Sequence, residues 1–136
     1  MVTTTIDPLS TMNVLVVEDQ MPTRNMIHDV LKTIGVGHIY LAADGAEAYD
    51  IFLQADRLID LVVCDWNMPR MSGLDLLAKI RARNADIPFL MVTGRADVNS
   101  VKSAKLQGVD AYIVKPFTGG QIEVKLRVLA KKKKPA

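Results

Sequence analysis

Short runs of consecutive apolar residues recur along this chain. They occupy positions 14–17, 39–42, 61–64, 88–92 and 111–114. Uninterrupted apolar runs of this length are typical of strands in a parallel sheet that is buried on both faces. The pattern therefore predicts five strands, with the third extended to cover residues 60–65.

Each predicted strand is followed by a stretch in which apolar residues recur at helical spacing. Polar or proline start signals precede these stretches, namely Pro22, Asp44 with Glu47, Ser72, Asp97, and Thr118 with Gln121. Two of these signals, at Asp44 and at Thr118, have the spacing of a capping box. Regular alternation of strands and helices gives right-handed βαβ units. We therefore predict an α/β, doubly wound (βα)5 fold, a five-stranded parallel sheet with helices on both faces.

Composition adds little that is specific. The 136 residues suffice for one domain, 49% are hydrophobic, and the net charge is only +2, so we expect no nucleic-acid partner and no membrane partner. We divide the chain into a flexible leader (1–11), a folded domain (12–130) and a basic tail (131–136). The single cysteine, Cys64, excludes an internal disulfide and fits a reducing compartment. We expect a cytoplasmic monomer.

Polar residues collect where the predicted strands end. Glu18 and Asp19 follow the first strand, Asp65 ends the third, Thr93 ends the fourth, and Lys115 follows the fifth. Taken singly, each has an ordinary structural interpretation: Asp65 as the opening of a turn, the others as a helix cap, a turn residue or a surface charge. Because the carboxyl ends of parallel strands meet at one edge of the sheet, the five together predict a functional site there.

The chemistry of this set suits phosphoryl transfer to a carboxylate. Three crowded carboxylates need compensating charge at neutral pH, and Mg²⁺ is the cation that oxygen ligands of this kind favour. A metal, an ammonium group and a hydroxyl can together stabilise a transferring phosphoryl group. Asp65, on the middle strand, is the expected nucleophile.

The sequence resembles the receiver domains of two-component response regulators, and in particular the stand-alone chemotaxis regulators of that family. The resemblance covers almost the whole chain and is carried by residues 16–19, 64–69, 71–74, 92–94 and 112–118. The runs Asp-Trp-Asn-Met-Pro and Lys-Pro-Phe-Thr are its most specific signals. It implies a flavodoxin-like sheet with strand order 2-1-3-4-5.

Carried over residue by residue, the resemblance implies a complete phosphorylation site. Asp65 becomes the phosphoacceptor, and the implied Mg²⁺ ligands are Glu18 (through a water molecule), Asp19, Asp65 and the backbone carbonyl of Asn67. Thr93 and Lys115 would contact the phosphoryl group, and Tyr112 would be the aromatic switch that turns inward when Thr93 moves. A cis peptide bond between Lys115 and Pro116 is implied as well.

Two positions depart from the chemotaxis regulators. Glu18 stands where they have Asp, a substitution that the wider family accepts. Arg95 stands two residues after Thr93, where they have an acid. We therefore expect Asn67 and Arg95 to modulate the rate at which the phosphate is lost.

The implied function is a signalling phosphoacceptor rather than an enzyme, with self-phosphorylation and autodephosphorylation as its only chemistry. A histidine kinase would be the phosphodonor and a downstream protein the target, with a flagellar motor switch protein favoured and a phosphorelay or stress pathway as the alternative. A flavin carrier would need a hydroxyl-rich phosphate loop after the first strand, and Gln20-Met21-Pro22 is not one. An aspartyl phosphatase would need a second Asp two residues after its nucleophile, where this chain has Asn67. A scaffold that has lost its site is disfavoured because every site residue is present. The expected partner face comprises Val101, Lys105, Tyr112, Val114 and Lys125.

Overall fold

A five-stranded parallel sheet forms the centre of the molecule in the computed structural model, which describes residues 6–55 and 57–132. The strands are β1 (Asn13–Val17), β2 (His38–Ala42), β3 (Leu61–Asp65), β4 (Phe89–Thr93) and β5 (Ala111–Val114). They lie in the order β2-β1-β3-β4-β5, and all four neighbouring pairs are parallel. The predicted α/β fold, its parallel sheet and its strand order are confirmed.

Five α-helices follow the strands in alternation, as the apolar spacing predicts. They are α1 (Met21–Thr33), α2 (Gly45–Gln54), α3 (Gly73–Arg83), α4 (Val98–Leu106) and α5 (Gly119–Lys132). Thr118 and Gln121 form the predicted capping box, because each backbone N–H donates to the other's side chain. At α2 the box is half formed, since the Asp44 carboxylate accepts from the Glu47 N–H and no reverse bond is made.

The side chains of each strand alternate between two hydrophobic layers. Val62 and Cys64 of β3 face a layer that also contains buried residues of α2, α3 and α4. Leu61 and Val63 face the other layer, built with α1 and α5. The central strands β1, β3 and β4 are buried on both faces, which explains their apolar runs, whereas the edge strands β2 and β5 are partly exposed.

The leader predicted over residues 1–11 differs from the structure in its second half. Pro8–Thr11 forms a 3₁₀ helix, started by the Asp7 carboxylate, which accepts the Leu9 N–H at 3.0 Å. Leu9 is only 1% exposed and belongs to the α1–α5 layer. This segment is ordered because its one large apolar side chain is buried. Residues 1–5 lie outside the described part of the chain.

The predicted boundary at the basic tail also differs from the structure. Helix α5 continues to Lys132, so the first two lysines of the tail are helical and exposed. Lysine is a good helix former, and a helix end exposed to water holds it without difficulty. Residues 133–136 lie outside the described residues.

Candidate functional site

The carboxyl ends of the central strands bring the predicted site residues to one edge of the sheet. Asp65 ends β3 and pairs in register with Val92, the residue before Thr93. Thr93 ends β4, and its carbonyl accepts the Lys115 N–H at 2.8 Å. Glu18 follows β1, whose last residue Val17 pairs with Cys64, the residue before Asp65. The polar cluster therefore follows from strand register alone.

Lys115 links two acids of this cluster. Its Nζ donates to Glu18 Oε1 at 2.6 Å and to Asp65 Oδ2 at 3.3 Å. Glu18 is 1% exposed and Asp65 is 7% exposed, so the acid of each ion pair is shielded from solvent, while Lys115 is only partly buried. The peptide bond between Lys115 and Pro116 is cis, as the resemblance implies.

The acids form a cluster that can hold a divalent cation. One oxygen each of Glu18, Asp19 and Asp65 lies within 4.8 Å of the others. Among the described residues, Glu18 Oε2 is the only buried side-chain nitrogen or oxygen with no hydrogen-bond partner. An all-oxygen donor set with one unsatisfied buried oxygen fits Mg²⁺.

Burial affects the pKa values of Glu18, Lys115 and Cys64. It raises the pKa of Glu18 to about 7; the charge of Asp65 adds to the rise, and the hydrogen bond from Lys115 opposes it. Burial alone would lower the pKa of Lys115, but its bond to Glu18 and the charge of Asp65 outweigh this, and the net pKa is raised. Burial, together with the two nearby carboxylates, also raises the pKa of the Cys64 thiol, so that Cys64 stays neutral.

Arg95 lies against the loop that follows β3. Its guanidinium carbon is 4.5 Å from the centre of the Trp66 ring. Its Nη2 and Nε donate to Asn67 Oδ1 at 2.9 and 3.3 Å, while the Asn67 N–H donates to Asp65 Oδ1 at 3.4 Å. The two residues expected to modulate the phosphate's lifetime are therefore in direct contact with each other.

Tyr112 and Thr93 contact the backbone of the same arginine. The Tyr112 hydroxyl donates to the Arg95 carbonyl at 2.7 Å, and Thr93 Oγ1 accepts the Arg95 N–H at 3.3 Å. The half-buried Tyr112 ring meets Trp66 edge-on, with 6.4 Å between ring centres. The structure thus joins the two predicted switch residues through one turn of the β4–α4 loop.

The residues of the expected partner face lie on three adjacent elements. Strand β5 is an edge of the sheet. Alternate β5 residues face the layer that contains α4 and the layer that contains α5, so the edge lies between these helices. Val101 is half-buried on α4 and Lys105 is exposed there, while Val114 of β5 and Lys125 of α5 are exposed.

Two residues with structural roles at this edge were not singled out from the sequence. Arg24 Nη1 donates to the backbone carbonyl of Glu18 at 2.9 Å. A Cβ atom on Gly73 would lie 2.3 Å from the Asp65 carbonyl oxygen, so only glycine fits there. Both roles involve the backbone of another residue, which leaves no pattern in the sequence. The only signals are an arginine in the first turn of a helix and a glycine directly after a serine cap.

Within residues 6–55 and 57–132, no helix combines the length and the apolar character needed to cross a membrane.

Comparison with known proteins gives a consistent result. The family model for the response regulator receiver domain matches residues 14–127. Chemotaxis protein CheY1 of Helicobacter pylori is 39% identical over 120 residues, which cover 87% of this chain and 96% of that protein. CheY-3 of Vibrio cholerae is 38% identical over 117 residues, or 85% and 88% of the two chains.

A solved structure agrees with these relatives. The CheX–CheY–BeF3–Mg²⁺ complex from Borrelia burgdorferi contains a chain that superposes with a TM-score of 0.81 at 29% identity, covering 90% of each chain.

Proposed function

The chain belongs to the response regulator receiver domain family, and from that membership we propose that it accepts a phosphoryl group on Asp65 in a Mg²⁺-dependent reaction and signals by binding another protein. One observation carries the proposal. Asp65 is a nearly buried carboxylate at the end of the central strand, paired with Lys115 and beside two further acids. A carboxylate so placed can act as a nucleophile while its surroundings accept negative charge.

The proposed step is transfer from a phosphohistidine of a histidine kinase. A carboxylate oxygen of Asp65 forms the new O–P bond as the P–N bond to the donor imidazole breaks, and the released imidazole takes up a proton. Lys115, already within 3.3 Å of Asp65, pairs with one phosphoryl oxygen. The Thr93 hydroxyl accepts from the Arg95 N–H, which leaves its own proton free to donate to another.

Glu18, Asp19, Asp65 and the backbone carbonyl of Asn67 are the proposed Mg²⁺ ligands. The spacing of the three carboxylates and the unpartnered Glu18 oxygen support this assignment. When bound, the ion supplies positive charge that neutralises the transferring oxygens. The structural relative from Borrelia burgdorferi was solved with Mg²⁺ and BeF3, which supports the same requirement here.

Output is proposed to leave through the α4–β5–α5 face, defined by Val101, Lys105, Tyr112, Val114 and Lys125. Thr93 and Tyr112 are both bonded to Arg95, so a shift of Thr93 toward a phosphoryl group would disturb the contacts of Tyr112. The relative from Borrelia burgdorferi was solved bound to a second protein, CheX, which supports signalling by protein binding.

Chemotaxis is the pathway that the curated relatives favour. A flagellar motor switch protein is accordingly the proposed target, with a phosphorelay as the alternative. The chain is proposed to be a phosphoacceptor with self-phosphorylation and autodephosphorylation only, working as a cytoplasmic monomer.

The proposal is tested by incubating the protein with acetyl phosphate and Mg²⁺ and measuring its intact mass. We expect one added phosphoryl group, stable in acid and labile in base. Asp65→Asn should accept none, whereas Asp50→Asn, which changes an exposed acid on α2, should behave like the parent. Equal labelling of Asp65→Asn and the parent would contradict the assignment.

A further inference from the structure

Arg24 connects the first turn of α1 to the end of β1. Its Nη1 donates to the Glu18 carbonyl at 2.9 Å, and the side chain is partly buried. The start of α1 has no side-chain cap, because Gln20 makes no capping hydrogen bond. The Gln20 amide instead donates to Asp19 Oδ2 at 3.3 Å. The arginine side chain therefore links helix α1 to the residue after β1, at a helix start where no side-chain cap is present.

Both backbone polar groups of Glu18 are held. Its N–H donates to the Ala42 carbonyl of β2 at 3.1 Å, and its carbonyl is held by Arg24. That carbonyl belongs to the peptide group that joins Glu18 to Asp19. The orientation of this group sets the relative positions of the two Cα atoms from which the two carboxylate side chains extend. The Glu18 carboxylate is held at one oxygen by Lys115, and its other oxygen is buried without a partner.

We propose that Arg24 is a positioning residue for the metal site: it orients the Glu18–Asp19 peptide so that both carboxylates can bind one divalent cation. Arg24 contacts neither the cation nor the phosphoryl group in this role and acts through the backbone. The inference rests on the Mg²⁺ site of the proposed function and extends it to a residue outside the ligand set.

The sign of the effect separates positioning from electrostatics. A guanidinium near a cation site repels the cation, so its removal should strengthen Mg²⁺ binding if charge alone matters. If Arg24 positions the acids, its removal should weaken binding instead. Loss of a group that orients metal ligands commonly lowers metal affinity by about 10- to 100-fold.

The experiment titrates Mg²⁺ into the parent, Arg24→Ala, Arg24→Met and Arg24→Lys. Binding is followed by Trp66 fluorescence and by the Mg²⁺-dependent rise in melting temperature. Arg24→Met keeps much of the aliphatic side chain, so it remains informative if the alanine variant folds poorly. Asn25→Ala, an exposed neighbour on the same helix, is the matched control. All titrations are made well below the melting temperature that each variant shows with chelator.

We expect Arg24→Ala and Arg24→Met to bind Mg²⁺ at least about tenfold more weakly than the parent. Arg24→Lys, which keeps a donor and a positive charge, should recover most of the affinity, and Asn25→Ala should match the parent. Unchanged or tighter binding by both Arg24→Ala and Arg24→Met would overturn the proposal, as would an Arg24→Lys variant as weak as Arg24→Met. A parent protein that binds no Mg²⁺ would overturn the metal site itself, a result distinct from the loss of Arg24's role alone.

Discussion

At the scale of single residues, Glu18 is a carboxylate whose burial is unfavourable. It is 1% exposed, one of its oxygens has no partner, and its pKa is raised to about 7. Between its ordinary value of 4.5 and about 7, the folded protein keeps a proton on Glu18 that the unfolded chain releases. The free energy of unfolding should therefore fall as pH rises through this range when no metal is bound.

Glu18→Gln tests this dependence, because glutamine mimics the protonated acid and does not titrate. With chelator present, we expect Glu18→Gln to be more stable than the parent at pH 8, with the difference shrinking toward pH 5. Urea denaturation across this range measures it, and Glu47→Gln, which changes an exposed acid on α2, is the control. A difference that stays constant with pH would show that Glu18 keeps its ordinary pKa.

Arg95 sets a second expectation at this scale. Its guanidinium is held by Asn67 and the Trp66 ring beside Asp65, the proposed phosphoacceptor, where it can restrict the approach of water. We expect Arg95→Ala to lose phosphate severalfold faster than the parent, measured as decay of the phosphorylated mass after donor removal. Arg83→Ala, on the exposed end of α3, should decay at the parent rate. An unchanged rate in Arg95→Ala would mean that the guanidinium leaves this position during hydrolysis.

At the scale of elements, the α4–β5–α5 face makes a separate prediction. Tyr112 of the edge strand β5 is hydrogen-bonded to the β4–α4 loop, and Lys105 is exposed on α4. Tyr112→Ala and Lys105→Glu should weaken binding to a flagellar motor switch peptide in the presence of BeF3, while leaving phosphorylation by acetyl phosphate intact. Titration calorimetry with and without BeF3 measures both states, and Lys32→Glu, at an exposed position of α1, is the control. Parent-like affinity of both variants in both states would place the output surface elsewhere.

How far the sequence predicts each element depends on whether its cause is local. The central strands are predictable because burial on both faces makes most of each strand apolar, as at residues 61–64 of β3. The polar edge is predictable because parallel strand ends converge. The 3₁₀ helix at Pro8–Thr11 is not predicted, since its order depends on remote contacts such as the bond from the Gly37 N–H to the Leu9 carbonyl. The role of Arg24 is not predicted for a different reason: its acceptor is a backbone carbonyl, which every residue has and which leaves no mark on the sequence.

At the scale of the whole molecule, the layer between the sheet and helices α1 and α5 is completed by residues that precede β1. Leu9 is buried in that layer, although the family match starts at residue 14. The Asp7 carboxylate also accepts two hydrogen bonds from Arg127 of α5, at 3.0 and 3.1 Å. The folded part of the chain therefore extends beyond the residues that the family model matches.

Leu9→Ala should lower the free energy of unfolding by about 2–3 kcal/mol, because it removes a fully buried leucine side chain. Phosphorylation of Asp65 should persist, since Leu9 lies at the other end of the sheet from the acidic cluster. Urea denaturation gives the stability, and Ile6→Ala, at a position 68% exposed, should change it by less than about 0.5 kcal/mol. A loss for Leu9→Ala no larger than that of Ile6→Ala would mean that the 3₁₀ helix detaches readily.

The contact between Asp7 and Arg127 makes this protein suitable for sensor engineering. It holds the segment before β1 beside the last turns of α5. The two segments share a cleft, lined by Pro8, Thr11 and Lys132 together with Asp60 and Pro88, at the end of the sheet where the strands begin. Asp65 and the acidic cluster lie at the opposite end. Two fluorescent domains attached through these neighbouring segments would sit close together, leave the edge with the acidic cluster uncovered, and report a movement of α5 as a change in energy transfer.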